Sequence, residues 1–406
     1  MSRNLILITG NYPFSGQETF LETEIIELAS VFNRVVILPS DIRGRKRSVP
    51  ANVEVDESFA VGFNTAGNKV RSLVSYQFLR GLILHARYAG SIQAIRRINS
   101  FCRDLILTES WLEKHNPFKE AVIYTYWLNG KTHGAARYAQ ERAGISVISR
   151  AHRYDLYDYW FTPSFWPFRQ KTLDLIDKLY VISQDGYDYL QSHYQIRETK
   201  VSVSRLGVYS TNNTTQRSSD GVYRIVSVSG VTKMKRVEMI ADYLVKLATT
   251  NAKQKFAWTH LGAGPLLDTV KDCLKGLNSS NLRVELKGHV TNAEVYDYYR
   301  HHPVDVFLNL SESEGLPVSI MEAQANGVPV IAPDVGGVSE IVNETTGVLL
   351  SEKVTYAEFE NAFWKICTSE SSYSSASIQE YWRANFDAAV NYMKFAHEVQ
   401  SFCQDE

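Results

Sequence analysis

The sequence contains few cysteines, and their positions exclude several kinds of site. Its 406 residues include four cysteines, at positions 102, 273, 367 and 403. They lie far apart and show neither the spacing of a zinc site nor that of a disulfide framework. They indicate free thiols in a reducing compartment, so we predict a cytoplasmic protein.

Long apolar runs are also absent. The amino-terminal stretch MSRNLILITGNYPF has one short apolar run, which ends at a glycine. This pattern is typical of a first core strand and not of a signal peptide, and no run elsewhere is long enough to span a bilayer. The net charge is −1, which gives no indication of nucleic-acid binding.

Several catalytic motifs are missing as well. The chain has no G-x-x-x-x-G-K-[ST] loop, which argues against nucleotide hydrolysis by that route. It has no G-x-S-x-G elbow and hence no sign of that type of serine nucleophile. What the chain does have is size and apolar content, with 44% hydrophobic and 12% aromatic residues, enough for two cores.

Strand and helix patterns alternate along most of the chain, as in LILIT, VVILP, AVIYTYWL and KLYVIS before residue 207 and YRIVSVSG, AWTHL and VELKG after it. Such alternation predicts an α/β fold with parallel sheets. Residues 209–221 are polar and contain no predicted element, so we interpret them as a linker. The predicted domains are 1–207 and 208–385, followed by a terminal helix in 386–406.

The most informative stretch is SESEGLPVSIMEAQANGVPVIAPDVGGVSEIVNETTG, residues 311–347. A strand over Val304–Leu310 precedes it, and Gly315 supplies a tight turn. Pro317 suits the first position of a helix, which should run to about Asn326 and stop at Gly327. A second strand, over 328–332, then leads into another glycine turn at 336–337.

The chemistry is predicted at this turn. The amides of Val318 and Ser319, at the helix start, form an anion site that suits a diphosphate. Glu314 precedes the helix and Glu322 lies in its second turn, so the two carboxylates can flank one elongated ligand. Carboxylates accept hydrogen bonds from hydroxyl groups, and we assign one to a transferred sugar and the other to a ribose.

The E-x7-E spacing of Glu314 and Glu322, with GLP, MEA and GVPVIAPDVGGVSEIV around it, resembles the signature of the retaining glycosyltransferases of family four. That resemblance implies a GT-B fold, in which two Rossmann-like parallel-sheet domains face a central cleft, with no metal and no cofactor. The first domain, 1–207, would bind the acceptor, and the second, 208–385, would bind the nucleotide sugar. It also implies that Glu314 contacts the donor sugar and Glu322 the ribose. The absence of any Asp-x-Asp triplet agrees, because the metal-dependent glycosyltransferase fold uses one. Implied donor contacts at the helix start are Gly315, Leu316, Pro317, Val318 and Ser319.

The resemblance extends more weakly to the first domain. The stretch YPFSGQETFLETEI resembles the family's first loop and helix, in which Gly16 would let the backbone approach the diphosphate or the acceptor. An ordinary turn explains it equally well. His152, in RAHRYD at the end of a strand, matches the family histidine near the reacting sugar, although a structural role is the alternative.

Basic residues follow the strand YRIVSVSG. Lys235 matches the family's phosphate lysine, and Arg236 adjoins it. Gly230 stands where the family usually has an arginine, which Lys233, Arg236 or Arg205 would have to replace. In the family, the turns around Gly262 and from Gly288 to His289 and Val290 line the base pocket. By analogy with the fold, one long helix over 377–402 returns to the first domain.

Two further segments of the first half of the chain each allow more than one interpretation. No acidic residue occurs from Phe59 to Arg103, and the basic, apolar and aromatic residues of 69–103 predict either contact with an anionic membrane or an amphipathic helix facing the core. The loop YDLYDYWFTPSFWPF, residues 154–168, is rich in aromatic residues. These can stack on sugars, lie at a membrane interface or fill space between helices.

Taken together, these features predict a retaining, metal-independent glycosyltransferase with His152, Glu314 and Lys235 as catalytic residues. It would move a sugar from a nucleotide-diphosphate sugar to a glycan acceptor, a lipid-linked oligosaccharide of surface polysaccharide biosynthesis. The expected location is the cytoplasm, at the inner face of the plasma membrane. The alternatives are a nucleotide-sugar epimerase on the same fold and an inactive glycan-binding scaffold.

Overall fold

The computed structural model describes residues 3–15, 18–210, 212–275, 281–368 and 372–403. It divides into two compact domains. The first contains the chain up to Ser204 together with the residues from Val390 onward, and the second contains Arg205–Ala389. The predicted boundaries fell at 207/208 and 385/386.

The first domain is built on a parallel sheet of seven strands in the order β3-β2-β1-β4-β5-β6-β7. One of its interior strands, LILIT preceded by Asn4, is buried along its whole length, because helices cover both faces of a parallel sheet. The strands are β1 (Asn4–Thr9), β2 (Arg34–Pro39), β3 (Val53–Val55), β4 (Ala121–Thr125), β5 (Ile145–Ala151), β6 (Lys178–Val181) and β7 (Val201–Val203).

Nine α-helices lie between these strands in the described part of the domain. They are α1 (Leu21–Val31), α2 (Ser58–Asn64), α3 (Ala66–Leu73), α4 (Tyr76–Leu84), α5 (Ile92–His115), α6 (Gly130–Ala139), α7 (Arg153–Leu156), α8 (Arg169–Leu175) and α9 (Gln184–His193). The stretch 69–103, expected as a basic helix, is thus divided among α3, α4 and the first half of α5. Serine side chains at 75 and 91 cap α4 and α5 and fix these breaks.

The second domain has a parallel sheet of six strands in the order β10-β9-β8-β11-β12-β13. The strands are β8 (Val222–Val228), β9 (Lys255–Leu261), β10 (Leu282–Leu286), β11 (Val306–Leu308), β12 (Val330–Pro333) and β13 (Gly347–Leu350). The helices are α10 (Val237–Thr250), α11 (Leu267–Leu274), α12 (Asn292–His301), α13 (Val318–Ala325), α14 (Tyr356–Cys367) and α15 (Ser375–Phe386). The prediction of two Rossmann-like parallel-sheet domains is confirmed.

The order of strands reverses once in each sheet. In the first domain the reversal lies between β1 and β4, and in the second it lies between β8 and β11. At such a point the loops leaving two neighbouring strands diverge and open a crevice, which is where open α/β sheets bind ligands. A ligand site is therefore expected at the loops after β1 and β4 in the first domain and after β8 and β11 in the second.

The polar stretch 209–221 is attached to the second domain. The amide of Thr215 donates to the carbonyl of Asn326 at 2.9 Å, and its side chain is buried. The amide of Ser218 donates to Asp305 at 2.9 Å. This part of the predicted linker therefore contributes to the structure of the second domain.

The prediction of a single long helix over 377–402 is wrong. The structure has two helices, α15 and α16 (Ala388–Gln400), separated at Asp387. Val208 pairs with this position, since its amide donates to Phe386 and its carbonyl accepts from Ala388, both at 3.1 Å. Those backbone groups cannot also make helical hydrogen bonds, so the helix breaks. Across the described ranges, no helix combines the length and the apolar character needed to cross a bilayer.

Candidate functional site

The turn after β11 has the predicted local structure. Pro317 is the N-cap of α13, which begins at Val318 and ends at Ala325. Gly327 follows in the left-handed region, with φ of 74°, which a glycine adopts without strain. Strand β11 covers only Val306–Leu308 and is therefore shorter than the predicted strand, Val304–Leu310. Glu314 and Glu322 therefore stand on either side of a helix start, as the spacing predicted.

Lys235 and Glu314 form an ion pair at the point where the second sheet reverses its order. The Nζ atom of Lys235 lies 2.6 Å from Oε1 of Glu314. The side-chain amide of Asn309 also donates to Oε1, at 3.1 Å. Burial would raise the pKa of Glu314, but the Lys235 ammonium and hydrogen bonds from Lys235, Ser311 and Asn309 outweigh it and lower that pKa. Glu314 is therefore an ionised carboxylate in a buried position.

Arg236 connects the loop that carries Lys235 to the loop that carries Glu314, through hydrogen bonds to backbone carbonyls. Its guanidinium donates to the carbonyls of Leu310 and Ser311, at 2.6 and 2.7 Å. Its own backbone is left-handed, with φ of 47°, at the start of α10. The amide of Glu312 completes the link by donating to the carbonyl of Met234 at 2.8 Å. Arg236 thus holds the Lys235 loop against the Glu314 loop.

Glu322 is a buried carboxylate. It is 4% exposed, in the second turn of α13. Among the described residues, none makes a hydrogen bond or an ion pair with its carboxylate, and burial raises its pKa to about 8. A carboxyl group in this state lacks the partners that normally offset its burial. It is suited to accept hydrogen bonds from the hydroxyls of a ligand.

The glycine turns of the second domain pack against one another. Gly336, with φ of 55°, touches the Glu314 loop so closely that a Cβ there would lie 2.0 Å from the carbonyl oxygen of Glu314. A Cβ at Gly262 would lie 1.9 Å from the carbonyl oxygen of Ser229. Gly262 also donates to the carbonyl of Gly288 at 2.9 Å. This bond joins the turn after β9 to the one that carries the exposed His289 and the half-buried Val290.

Gly230 leaves room for a side chain. A Cβ there would meet no atom closer than 3.8 Å, and the residue is exposed. Of the three basic residues considered in its place, Arg205 pairs with Glu340 at 2.9 Å and Arg236 binds the two carbonyls described above. Lys233 is exposed, and within the described ranges its ammonium has no hydrogen-bond or ion-pair partner. Lys233 is therefore the cation that is free to meet a ligand here.

His152 lies in the first domain, at the carboxyl end of β5. It is 8% exposed, and neither ring nitrogen has a hydrogen-bond partner among the described residues. Burial, reinforced by the Arg150 cation, holds the pKa of His152 well below its usual range, so the imidazole is neutral. Its ring centroid lies 4.5 Å from that of Tyr126 and 4.7 Å from that of Trp127.

Asp155, for which the sequence pattern predicted no role, fixes the position of His152. Its carboxylate accepts hydrogen bonds from the backbone amides of His152 and Leu128, both at 2.6 Å. It joins the loop after β5 to the loop after β4. Burial raises the pKa of Asp155 to about 7, although both amide bonds act in the opposite direction. The spacing of RAHRYD, with an acid three residues after the histidine, was the available signal.

Glu18 was also missed. Its carboxylate accepts from three successive backbone amides at the end of β1, those of Gly10, Asn11 and Tyr12, at 2.9, 2.6 and 2.6 Å. The indole N–H of Trp127 donates to it as well. These bonds join the loops after β1 and β4, where the first sheet reverses its order. Gly16, the glycine predicted in this loop, lies outside the described residues.

The aromatic loop 154–168 packs on α4 and α5. Arg97 of α5 donates to the carbonyls of Pro163 and Phe165, at 2.8 and 3.0 Å, and lies over the ring of Phe161. The rings of Tyr88 and Phe165 are stacked, with centroids 4.3 Å apart. Tyr154 and Tyr159 remain exposed. Part of the loop is therefore packed against the helices, and part presents aromatic rings at the surface.

The structure thus brings together Lys235, Arg236 and the loop of Glu314, and separately the turns of Gly262 and His289. His152 belongs to the other domain. Across the described residues, no group of three or more His, Cys, Asp or Glu side chains is placed to hold a metal ion.

Residues 223–369 match the family model described as Glycosyl transferases group 1. The O-antigen biosynthesis glycosyltransferase WbnH of Escherichia coli is 30% identical over 128 residues, which are 32% of this chain and 33% of that protein. The match therefore spans about a third of that relative's length. The putative colanic acid biosynthesis glycosyltransferase WcaL of E. coli K12 is 25% identical over 287 residues, 68% of each chain.

Solved structures match over nearly the whole chain. The apo form of the lipopolysaccharide outer core galactosyltransferase WaaB has a TM-score of 0.70 at 15% identity, covering 98% of this chain and 99% of the other. Anabaena HepE, in complex with UDP and glucose, has a TM-score of 0.61 at 14% identity, with the same coverage. At these identities the likeness establishes the fold, which is GT-B. The resemblance first seen around Glu314 and Glu322 is confirmed by the match of residues 223–369 to the group 1 glycosyl transferases.

Proposed function

We propose that this protein is a retaining, metal-independent glycosyltransferase. It transfers a sugar from a nucleotide-diphosphate sugar to a glycan acceptor, a lipid-linked oligosaccharide of surface polysaccharide biosynthesis, in the cytoplasm. The observation that carries the proposal is Glu322, a buried carboxyl group without a described partner, on the helix that begins beside the Lys235–Glu314 pair. The names of the relatives, in O-antigen and colanic acid biosynthesis, support the class of acceptor.

The second domain holds the donor in this proposal. The ribose hydroxyls donate to Glu322, and their two hydrogen bonds offset the burial of its carboxyl group. The diphosphate lies at the start of α13, where the amides of Val318 and Ser319 and the helix dipole favour negative charge. Lys235 and the exposed Lys233 neutralise the charge that develops on the leaving diphosphate, which is an electrostatic contribution.

Glu314 has a double role in the same proposal. Its ionised carboxylate accepts hydrogen bonds from hydroxyls of the donor sugar, and it also holds Lys235 at 2.6 Å. His152, neutral and with both ring nitrogens free of described partners, contacts the sugar from the first domain as a hydrogen-bonding group. Attack occurs on the face that the leaving group departs from, so the product keeps the donor's anomeric configuration.

The first test is thermal stabilisation by UDP-, GDP- and ADP-sugars in EDTA, with wild type and Glu322→Ala. A ligand at 100 times its Kd stabilises the folded state by about 2.7 kcal/mol, which is several degrees in Tm. We expect one nucleotide class to shift the wild type and the shift to be lost in Glu322→Ala. The matched control is Glu344→Ala, which removes an exposed glutamate of the same domain.

If no nucleotide sugar shifts the wild type, the donor site is not where we place it and a scaffold becomes the better explanation. If a nucleotide sugar does bind, an acceptor screen distinguishes a glycosyltransferase from an epimerase. Transfer to a glycan supports the proposal, whereas epimerisation of the donor without an acceptor supports the isomerase. The NMR coupling at the new anomeric centre reports retention or inversion.

We further propose that residues 61–92 dock on an anionic membrane that carries the acceptor. Within the described ranges, nine of the thirteen exposed large apolar side chains lie in this segment: Val61, Val70, Leu73, Val74, Tyr76, Leu79, Ile83, Leu84 and Ile92. No acidic residue occurs from 58 to 103, and Arg71, Arg87 and Arg96 are exposed. Apolar side chains rimmed by cations favour the surface of an anionic bilayer. Arg97 and Arg103, by contrast, are engaged within the domain.

Vesicle sedimentation tests this contact. We expect binding to vesicles with anionic lipid, little binding to zwitterionic vesicles, and loss of binding in Leu79→Ser with Ile83→Ser. The control pair, Ile26→Ser with Val390→Ser, removes two other exposed apolar side chains elsewhere on the chain. Equal loss in both pairs, or equal binding to both kinds of vesicle, would contradict a membrane role for this segment.

A further inference from the structure

The first domain contains a buried lysine that has no role in the function proposed above. Lys131 is 8% exposed and occupies the second position of α6, in the loop region where the first sheet reverses its order. Among the described residues, no oxygen atom lies within hydrogen-bonding or ion-pairing distance of its ammonium. It faces the ring of Phe63, whose centroid lies 5.8 Å away. A cation buried in this way is costly unless an anion joins it.

The neighbouring carboxylates are engaged elsewhere. Glu18 accepts from the three amides at the end of β1 and from Trp127. Asp104 accepts from the guanidinium of Arg103 at 2.9 Å. Both raise the pKa of Lys131 through space, but burial is the larger effect and lowers that pKa below its usual value. Among the described residues, neither carboxylate forms an ion pair with Lys131, although both act on it through space.

The backbone adds positive potential at the same place. Helix α6 runs from Gly130 to Ala139, and its first turn is capped by Asn129, whose side chain accepts from the amide of Lys131 at 3.0 Å. Lys131 therefore belongs to the first turn of α6, at the positive end of the helix dipole. A positively charged side chain is unfavourable at this end of a helix, whereas a bound anion is favourable there. The lysine and the helix dipole thus both contribute positive potential to this end of α6.

We propose that Lys131 and the start of α6 form an anion site for the phosphate group of the acceptor. This inference rests on the proposed function, in which a glycan acceptor receives the sugar. It places that acceptor on the first domain and adds that the acceptor is phosphorylated. The ligand bears a phosphate monoester or a diphosphate, which the ammonium binds as a compact point charge. Glu18 and Asp104 flank the site and can accept hydrogen bonds from hydroxyls next to the phosphate.

Calorimetric titration with inorganic diphosphate tests the site, using wild type, Lys131→Met and Lys235→Met. The last variant is the matched control, since it removes the cation of the other domain by the same substitution. We expect Lys131→Met to weaken one class of diphosphate site at least tenfold and Lys235→Met to leave that class unchanged. We also expect the unliganded Lys131→Met protein to melt at a higher temperature than wild type, because an unpaired buried charge has been removed. Diphosphate binding by Lys131→Met equal to that of wild type would overturn the inference.

Further measurements distinguish a failure of this inference from a failure of the proposed function. Nucleotide-sugar stabilisation is followed in the same variants, and Lys131→Gln is prepared in case the methionine variant does not fold. A saturating nucleoside diphosphate should leave the Lys131-dependent titration intact. If it abolishes that titration, the phosphate belongs to the donor, and the acceptor assignment is wrong. If no nucleotide sugar binds the wild type, the proposed function fails while the Lys131 result is still informative.

Discussion

At the scale of single residues, the second domain contains two glutamates with opposite environments only eight positions apart. Glu314 is buried beside an ammonium and is held ionised, whereas Glu322 is buried without a described partner and holds its proton to about pH 8. The same residue type is thus tuned by its neighbours to two different states. Each state leads to a prediction.

The first prediction concerns Glu322 and the pH dependence of stability. Below about pH 4.5 the group is protonated in both folded and unfolded chains. Between there and pH 8 the folded state keeps the proton and the unfolded state loses it, so this group makes the wild type less stable as pH rises. Glu322→Gln removes that loss, and we expect it to gain about 2–4 kcal/mol over wild type between pH 5 and 8.

Chemical denaturation of both proteins from pH 5 to 8 measures this difference. The exposed Glu344→Gln serves as a control and should follow wild type at every pH. A constant difference between Glu322→Gln and wild type across the range would show that Glu322 titrates normally in the folded chain.

The second prediction concerns the ion pair of Lys235 and Glu314. Lys235→Met leaves a buried carboxylate with fewer donors, and we expect a loss of about 1–3 kcal/mol of stability, lessened by the partial exposure of the lysine. Adding Glu314→Gln to this variant removes the unpaired charge and should restore part of the loss. A double-mutant cycle by urea denaturation checks this, and single effects that simply add would show that the two groups do not interact.

At the scale of elements, the glycine turns determine where these side chains stand. Gly336 combines a left-handed backbone with direct contact to the loop of Glu314. We expect Gly336→Ala to destabilise the second domain by about 2–4 kcal/mol, because it adds backbone strain and forces the Glu314 loop to move. Nucleotide-sugar binding should weaken in parallel.

Gly230→Ala is the matched control for this substitution, since a Cβ there would lie no closer than 3.8 Å to any atom and its φ lies outside the left-handed region. It should change neither melting temperature nor nucleotide affinity by a measurable amount. Thermal denaturation with and without nucleotide compares the two variants. Equal effects of both substitutions would mean that the contact of Gly336 with Glu314 is not needed.

The elements that the sequence predicts best are those whose signals are local. Apolar runs such as LILIT and VVILP predict buried parallel strands, and Pro317 and Gly327 bound α13 because each has a conformational reason to stand there. The eight-residue spacing of Glu314 and Glu322 across that helix start could also be seen directly. These features depend on neighbours within a few residues.

The remaining features depend on contacts between distant residues. Lys235 and Glu314 are 79 positions apart, and Trp127 and Glu18 are 109 apart, so spacing gives no indication of either pair. The break between α15 and α16 arises because Val208 competes for the backbone groups around Asp387. The unusual burial of Lys131 follows from the packing around α6, and its own neighbours in the sequence do not reveal it.

At the scale of the whole molecule, the end of the chain belongs to the domain in which the chain begins. From Val390 onward the residues join the first domain, and α16 packs Phe395 against the rings of Tyr124 and Tyr180, with centroids 5.3 and 4.9 Å away. Arg150 lies 4.0 Å above the Phe395 ring, and its guanidinium pairs with the fully buried Glu24 at 2.7 Å. The last helix thus covers a buried charge pair in the first core.

The final prediction follows from this arrangement. Phe395→Ala should destabilise the first domain by about 3–5 kcal/mol, because it leaves a cavity and lets water approach the Glu24–Arg150 pair. Two-domain chains need not unfold in one step, so we expect a separate, lower-temperature transition to appear in calorimetry. A nucleotide sugar should shift the transition of the second domain and leave the new one unchanged. Val390→Ala, at an exposed position of the same helix, should leave the melting profile as in wild type. A single transition that moves as a whole would show instead that the two domains unfold together.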